Sequence, residues 1–270
     1  MMTLTKWVAL WRELATHDIQ ASEGGATKMV ERWRGVARKL DSREKQDPDP
    51  LLDHILGRLT PEMTVLDIGA GIGRWTVPMA QRAGSVTAVE PLQGMRQVLV
   101  ERAASRSITN LRVLAAPWLA VDVPLHDVVI AAHATYTTPD LLAFVRKMES
   151  SARRTCCLAL RVPAYDGIIG ELSERVHGRW HDSPNFIVGY NLLLAAGFHP
   201  NVLMEPTAVR HWVDPTVEAA AARAKRHLRL EDDRHDTAIR EVLSRRLVLA
   251  DGLWRWPDGM RSALIWWDRE

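Results

Sequence analysis

Two acidic residues and three closely spaced glycines carry the clearest chemistry in the chain. Val65-Leu66-Asp67-Ile68-Gly69-Ala70-Gly71-Ile72-Gly73 reads as a strand, a tight glycine turn and the start of a helix. Glycine permits positive backbone angles and lets a ligand approach the main chain. The first turn of the helix that follows presents unpaired N–H groups. A dinucleotide site would show G-x-G-x-x-G. Gly69 and Gly71 fit that pattern, but the third position is Arg74. Asp67 stands two residues before the first glycine, where its charge would repel a pyrophosphate and suits a ligand with a cationic amino group. The second strand ends at Val89-Glu90-Pro91, about 20 residues beyond the turn, where a carboxylate grips a ribose diol. Met95, on the next helix, is placed to pack against an adenine face.

Further candidates follow the later strands. The fourth strand runs into Ala132-His133-Ala134-Thr135-Tyr136, which puts His133 in a loop position as a base or an acceptor contact and Tyr136 beside it. After the fifth strand comes the polar cluster from Glu174 to Phe186. His177 and His181 stand four apart, but Gly178 reads as a helix C′ residue between them, so they do not share a helical face. With no H-E-x-x-H pattern and no third ligand, no metal is expected. Asp182 or Ser183 reads as the N-cap of the next helix. His177 and His181 are therefore candidate catalytic groups, and Asn185 and Tyr190 candidate acceptor contacts. The neighbours Cys156 and Cys157 lie in an apolar strand, where alternation points them to opposite faces and precludes an ordinary bridge.

The elements that must hold these residues alternate. Strands are predicted at 64–68, 85–90, 110–115, 126–132 and 155–161, with helices at 73–83, 94–105 and 140–150 between them. Such alternation implies a parallel sheet with right-handed crossovers. Two helical segments follow within 166–200, then a strand at 202–205, two helices within 214–248 and a closing strand at 262–267. Amphipathic helical stretches at 4–16 and 26–40 precede the first strand, carrying Trp11 and Trp33. The domain expectation is a helical cap over 1–58 and a main domain over 59–270, interrupted by insertions at 164–200 and 207–260.

Composition limits the partners. Of 270 residues, 47% are hydrophobic and 25% charged, as in an ordinary globular chain. A net charge of +2 makes no electrostatic case for nucleic acid or an anionic membrane surface. The N-terminus lacks a signal-like apolar run and no stretch is long enough to span a bilayer. The expectation is a cytoplasmic monomer or homodimer.

The glycine turn Asp67–Gly73 and the acidic strand end Glu90 resemble those of the class I S-adenosylmethionine-dependent methyltransferase family. The resemblance covers residues 50–160 and, more loosely, 262–267. It implies an α/β, Rossmann-like sheet of seven mostly parallel strands with helices on both faces, and S-adenosylmethionine across its carboxyl edge. Asp67, Gly69, Ala70, Gly71 and Gly73 would then line the methionine end. Glu90 and Pro91 would meet the ribose, Met95 the adenine, and His133 both cofactor and acceptor. Many family members place an acid after strand three; here the segment is Ala115-Ala116-Pro117-Trp118, so the Ala116 backbone and the Trp118 ring are the expected adenine contacts. In similar enzymes an N-terminal helical segment closes the site, a role that would fall to Trp33 or Trp11. The implied activity is in-line methyl transfer to a small-molecule acceptor. The rival readings are a non-catalytic regulatory protein that keeps the cofactor fold and, against Arg74, a nicotinamide-dependent oxidoreductase.

Overall fold

The computed structural model describes residues 2–19, 35, 49–164, 166–206 and 210–269. Helix α1 (Leu4–Ile19) is followed by α2 (Pro50–Leu56), then by β1 (Thr64–Ile68), α3 (Thr76–Ala80), β2 (Ser85–Val89), α4 (Gln93–Ser105) and β3 (Leu111–Leu114). Next come β4 (His126–Ala132), α5 (Leu141–Ser150), β5 (Ala152–Val162), α6 (Ile168–His177), α7 (Phe186–Ala195) and β6 (Asn201–Met204). The chain ends with β7 (Arg210–Asp214), α8 (Val217–Leu228), α9 (Asp236–Arg246), β8 (Val248–Ala250) and β9 (Leu253–Asp268).

The main sheet has the order β3-β2-β1-β4-β5-β9-β6. The first five strands are parallel, whereas β9 runs antiparallel to both β5 and β6. This is the seven-stranded, mostly parallel sheet expected. Its central strands are buried on both faces, which is why their sequences are apolar throughout rather than alternating. Successive residues still divide between two cores. Leu66, Val129, Cys156 and Leu158 pack on one side under α1, α5 and α7. Val65, Val128, Cys157 and Ala159 pack on the other under α2 and α3. Cys156 and Cys157 are thus free, buried and on opposite faces, as their adjacency implied.

Local chemistry sets the helix ends. Asp49 accepts from the Leu52 N–H at 3.1 Å ahead of Pro50, and Asp140 accepts from the Ala143 N–H at 3.0 Å. Gly178 ends α6 in the left-handed region, φ 69°, as expected. The N-cap of α7 is Asn185, whose carboxamide oxygen accepts from Val188; the expectation of Asp182 or Ser183 is corrected.

The closing strand departs most from expectation. It is 16 residues long, more than twice the predicted 262–267. Its second half lies in the main sheet, while its first half pairs with β7 and β8 in a small antiparallel sheet that sequence patterning missed. Pro257 and Gly259 lie in that first half. They fall where the β7 register shifts, at a bulge that accommodates a residue without an N–H. Helices α6, α8 and α9 pack with Trp256 of this small sheet into a third core, forming a cap that grows out of the insertions.

Trp11 is fully buried in the main core and its indole N–H donates to the Thr138 carbonyl at 2.9 Å. It pins α1 against the sheet's helical layer rather than swinging over a site. Trp33 lies outside the described residues.

Candidate active site at the carboxyl edge of the sheet

The turn after β1 has positive φ at Gly69, Gly71 and Gly73. Two of these positions are also crowded. A Cβ on Gly69 would stand 2.4 Å from the Ala134 Cβ, and one on Gly73 would stand 2.4 Å from the Leu99 Cδ1. The turn therefore nests between the β4 loop and α4. It is tied to the second strand by the Gly69 N–H, which donates to the Val89 carbonyl at 2.7 Å.

Glu90 is buried and its carboxylate bridges two main-chain donors, the Gly71 N–H at 2.9 Å and the Leu92 N–H at 2.8 Å. Burial raises its pKa, and those two N–H groups with the Arg96 guanidinium oppose the rise. Asp67 lies beneath the turn, also buried, with the Thr76 hydroxyl donating to it at 2.6 Å. Burial pushes Asp67 up to about 7, against the Thr76 bond and with help from the Glu90 charge. Arg74 is engaged elsewhere, 2.7 Å from Asp49. A pyrophosphate would meet two carboxylates here and no cation from Arg74. A ligand with a cationic amino-acid end and a diol fits the same groups. Met95 is half-buried, with its sulfur 3.8 Å from where a Gly71 Cβ would be, beside the turn.

The adenine side is partly corrected. The Trp118 ring is buried under α5, its N–H donating to the Phe144 carbonyl at 3.2 Å and the Lys147 ammonium lying 4.7 Å from the ring centroid. That ring is a core residue and offers no stacking face, which leaves the half-buried Ala116 and its backbone at this edge.

At the end of β4, His133 has φ 56°, an uncommon conformation that marks constrained backbone. Its Nδ1 is 2.7 Å from the Tyr136 hydroxyl, which in turn accepts from the Arg161 N–H at 2.9 Å. The Arg161 guanidinium covers the Tyr136 ring at 4.4 Å. Burial holds the Tyr136 hydroxyl protonated, pushed up to about 12. The ends of β4 and β5 are thus joined by one polar chain, and Ala134 brings it against Gly69.

The insertion residues divide. His177 faces away from this edge and meets the Leu228 carbonyl at 3.0 Å, linking α6 to the end of α8. Tyr190 stacks on Phe186, ring centroids 5.3 Å apart, against the main core. His181 is held below its usual pKa by burial and lies 3.3 Å from the Asn185 amide nitrogen. Asn185 lines a cavity between β5, the α6–α7 segment and the cap, together with Trp180 and Asp182. Sequence reading missed the opposite wall: Trp212, Trp256 and His227, the last hydrogen-bonded through Nε2 to Asp182. His227 stands on α8, 45 residues from Asp182 in the α6–α7 segment, so no local spacing could have paired them. Among the described residues, no group of three or more His, Cys, Asp and Glu is arranged to hold a metal. No helix among them is long and apolar enough to cross a membrane.

A family model described as a methyltransferase domain matches residues 65–154. A protein of Methanosphaera stadtmanae named as a probable ribosomal RNA small subunit methyltransferase A is 34% identical over 98 residues, 34% of this chain and 36% of that protein. The chain thus matches about a third of the length of such curated relatives. An uncharacterized protein of Haemophilus influenzae is 24% identical over 213 residues, covering 76% of this chain and 75% of its own. The solved YcgJ protein of Bacillus subtilis shares the fold, with a TM-score of 0.55 at 14% identity over 82% of this chain and 98% of that one. The family match falls on the glycine turn and on the strands that carry it, so residues 65–154 are similar to a methyltransferase domain.

Proposed function

We propose that the chain transfers the methyl group of S-adenosylmethionine to a small-molecule acceptor by in-line displacement at the carboxyl edge of β1, β4 and β5. The observation that carries this reading is the Glu90 carboxylate bridging the Gly71 and Leu92 N–H groups beside the glycine turn. S-Adenosylmethionine supplies an activated methyl on a sulfonium. The protein's own task is alignment and exclusion of water. Glu90 would accept from the ribose hydroxyls, the turn would lie along the methionine end, and Asp67 would balance the amino group from below. His133, fixed by Tyr136, would border the transferred methyl. The free buried cysteines support a reducing, cytoplasmic setting.

Calorimetry with S-adenosylmethionine and S-adenosylhomocysteine tests the reading. Binding of both by the wild type, weakened about tenfold or more in Glu90→Gln, is expected; no binding by the wild type would sink it. Relatives named as ribosomal RNA methyltransferases make RNA the second acceptor to try. The net charge of +2 favours the small molecule. Methyl incorporation into ribosomal RNA above that into any small acceptor would reverse the order.

A further inference from the structure

The cavity under the cap has a volume of about 120 Å³. An enclosed apolar protein cavity of about 150 Å³ holds benzene, so this smaller pocket, which opens to solvent, seats no more than one ring. Three indoles line it: Trp180, Trp212 and Trp256. Each is held from behind. The Trp256 N–H donates to Asp214 at 2.8 Å, and Trp212 meets the Trp256 ring at 5.2 Å and 86°. The Arg223 guanidinium lies 5.5 Å over Trp212 and forks onto Asp214 at 2.9 and 2.8 Å. Trp180 packs on Gly170, where a Cβ would come within 2.4 Å of the indole. Fixed aromatic walls suit a flat aromatic ligand.

The polar groups are equally specific. Among the described residues the lining carries the cations Arg161 and Arg261 against the single carboxylate of Asp182, which favours an anionic substituent. Burial pushes the Asp182 carboxyl up, and the bond from His227, with the charges of His227 and Arg161, pulls it below its ordinary value, so it is ionised. It fixes the His227 proton on Nε2. With Nε2 turned to Asp182, Nδ1 is the nitrogen at which the neutral form of the ring would accept a proton, and it has no hydrogen-bond partner among the described residues. This is how a carboxylate orients an imidazole as a base. Arg161 joins the cavity to the donor edge, through Tyr136 and His133.

We propose that this cavity is the acceptor site, that it takes a single-ring aromatic hydroxy acid, and that His227 is the base for O-methylation, oriented by Asp182. The proposal rests on the methyl-transfer reading above. The hydroxyl proton passes to His227 Nδ1 and the oxygen lone pair forms the new O–CH3 bond. The S–CH3 bond breaks with its electron pair left on sulfur, and the imidazolium then loses its proton to water.

The test uses the full chain with 3,4-dihydroxybenzoate as probe and benzoate as the analogue lacking a hydroxyl. Tryptophan fluorescence should be quenched by both at about 1 mM or below, and only the dihydroxy acid should be methylated. Trp212→Ala should abolish the quench. His227→Gln and His227→Asn should lower kcat about 100-fold with KM and S-adenosylmethionine affinity unchanged, the latter reporting that the fold is intact. Asp182→Asn should lower kcat and move the pH profile, which a merely structural role would not do. Unchanged kcat in both His227 variants overturns the base. Absence of quenching and turnover while S-adenosylmethionine still binds overturns the acceptor site and leaves methyl transfer standing. Failure of the wild type to bind S-adenosylmethionine overturns both.

Discussion

At Gly69 the backbone holds φ 71°, and any Cβ would press on Ala134 from 2.4 Å. Gly69→Ala therefore meets both left-handed strain and a clash between two loops. It should cost about 2–3 kcal/mol of stability by urea unfolding, and S-adenosylmethionine affinity should fall by about tenfold or more in calorimetry. Asp67 makes a pH prediction of definite sign. Its folded pKa is raised to about 7 from 3.8, so between those values the folded chain holds a proton the unfolded chain has lost. This contribution is full at the low end of that window and is lost as pH rises through 7. Denaturation midpoints should fall from pH 5 to pH 8, and the fall should shrink in Asp67→Asn. A cationic ligand overhead would lower the same pKa, so binding near pH 7 should release a proton, seen as a calorimetric enthalpy that varies with the buffer. The proposed donor residues stand out in the sequence because one turn and one strand end carry them within 30 residues of sequence. Trp118 was misplaced because type and position do not say which way a ring turns. Asp182 and His227 were illegible as a pair because only the folded cap brings them together.

Among the elements, β7 shows how the cap is held. Asp214 closes that strand and is buried, accepting from the Arg223 fork and from the Trp256 N–H. Asp214→Ala leaves that buried N–H unpaired and should cost about 3 kcal/mol, measured by urea unfolding, while the cavity loses its rigid wall. At the opposite end, Trp11→Ala empties a fully buried site on α1 and should cost about 3–5 kcal/mol by the same measurement. Neither role was readable from the elements' own sequences. Trp11 sits in an amphipathic pattern that suits a core helix and a closing one equally, and β7 and β8 are short strands whose partner is the half of β9 disguised by Pro257. Strands β1 and β4 were legible to the residue because burial on both faces leaves a largely apolar run between clear turn signals.

At the scale of the whole molecule, two cores flank the sheet and a third sits in the cap. On the reading proposed above, donor and acceptor belong to different cores. S-Adenosylmethionine at 100 times its Kd should stabilise the chain by about 2.7 kcal/mol, a rise of about 5–10 °C in Tm, checked by calorimetric scanning. Hydrogen exchange should show β1, β4 and β5 protected longer than α8 and α9, since local opening follows local packing.

Strand β9 runs from the cap's small sheet into the main sheet between β5 and β6 without interruption. The cap is inserted in sequence but not separable in space, because its last strand is also a strand of the main sheet. A recombination event that swapped only residues 207–260 between relatives would join two halves of different strands at their bulge. An exchange that preserves pairing must carry β9 whole. With the acceptor site placed as proposed above, acceptor preference and the outer edge of the sheet are inherited together, and divergence in one constrains the other.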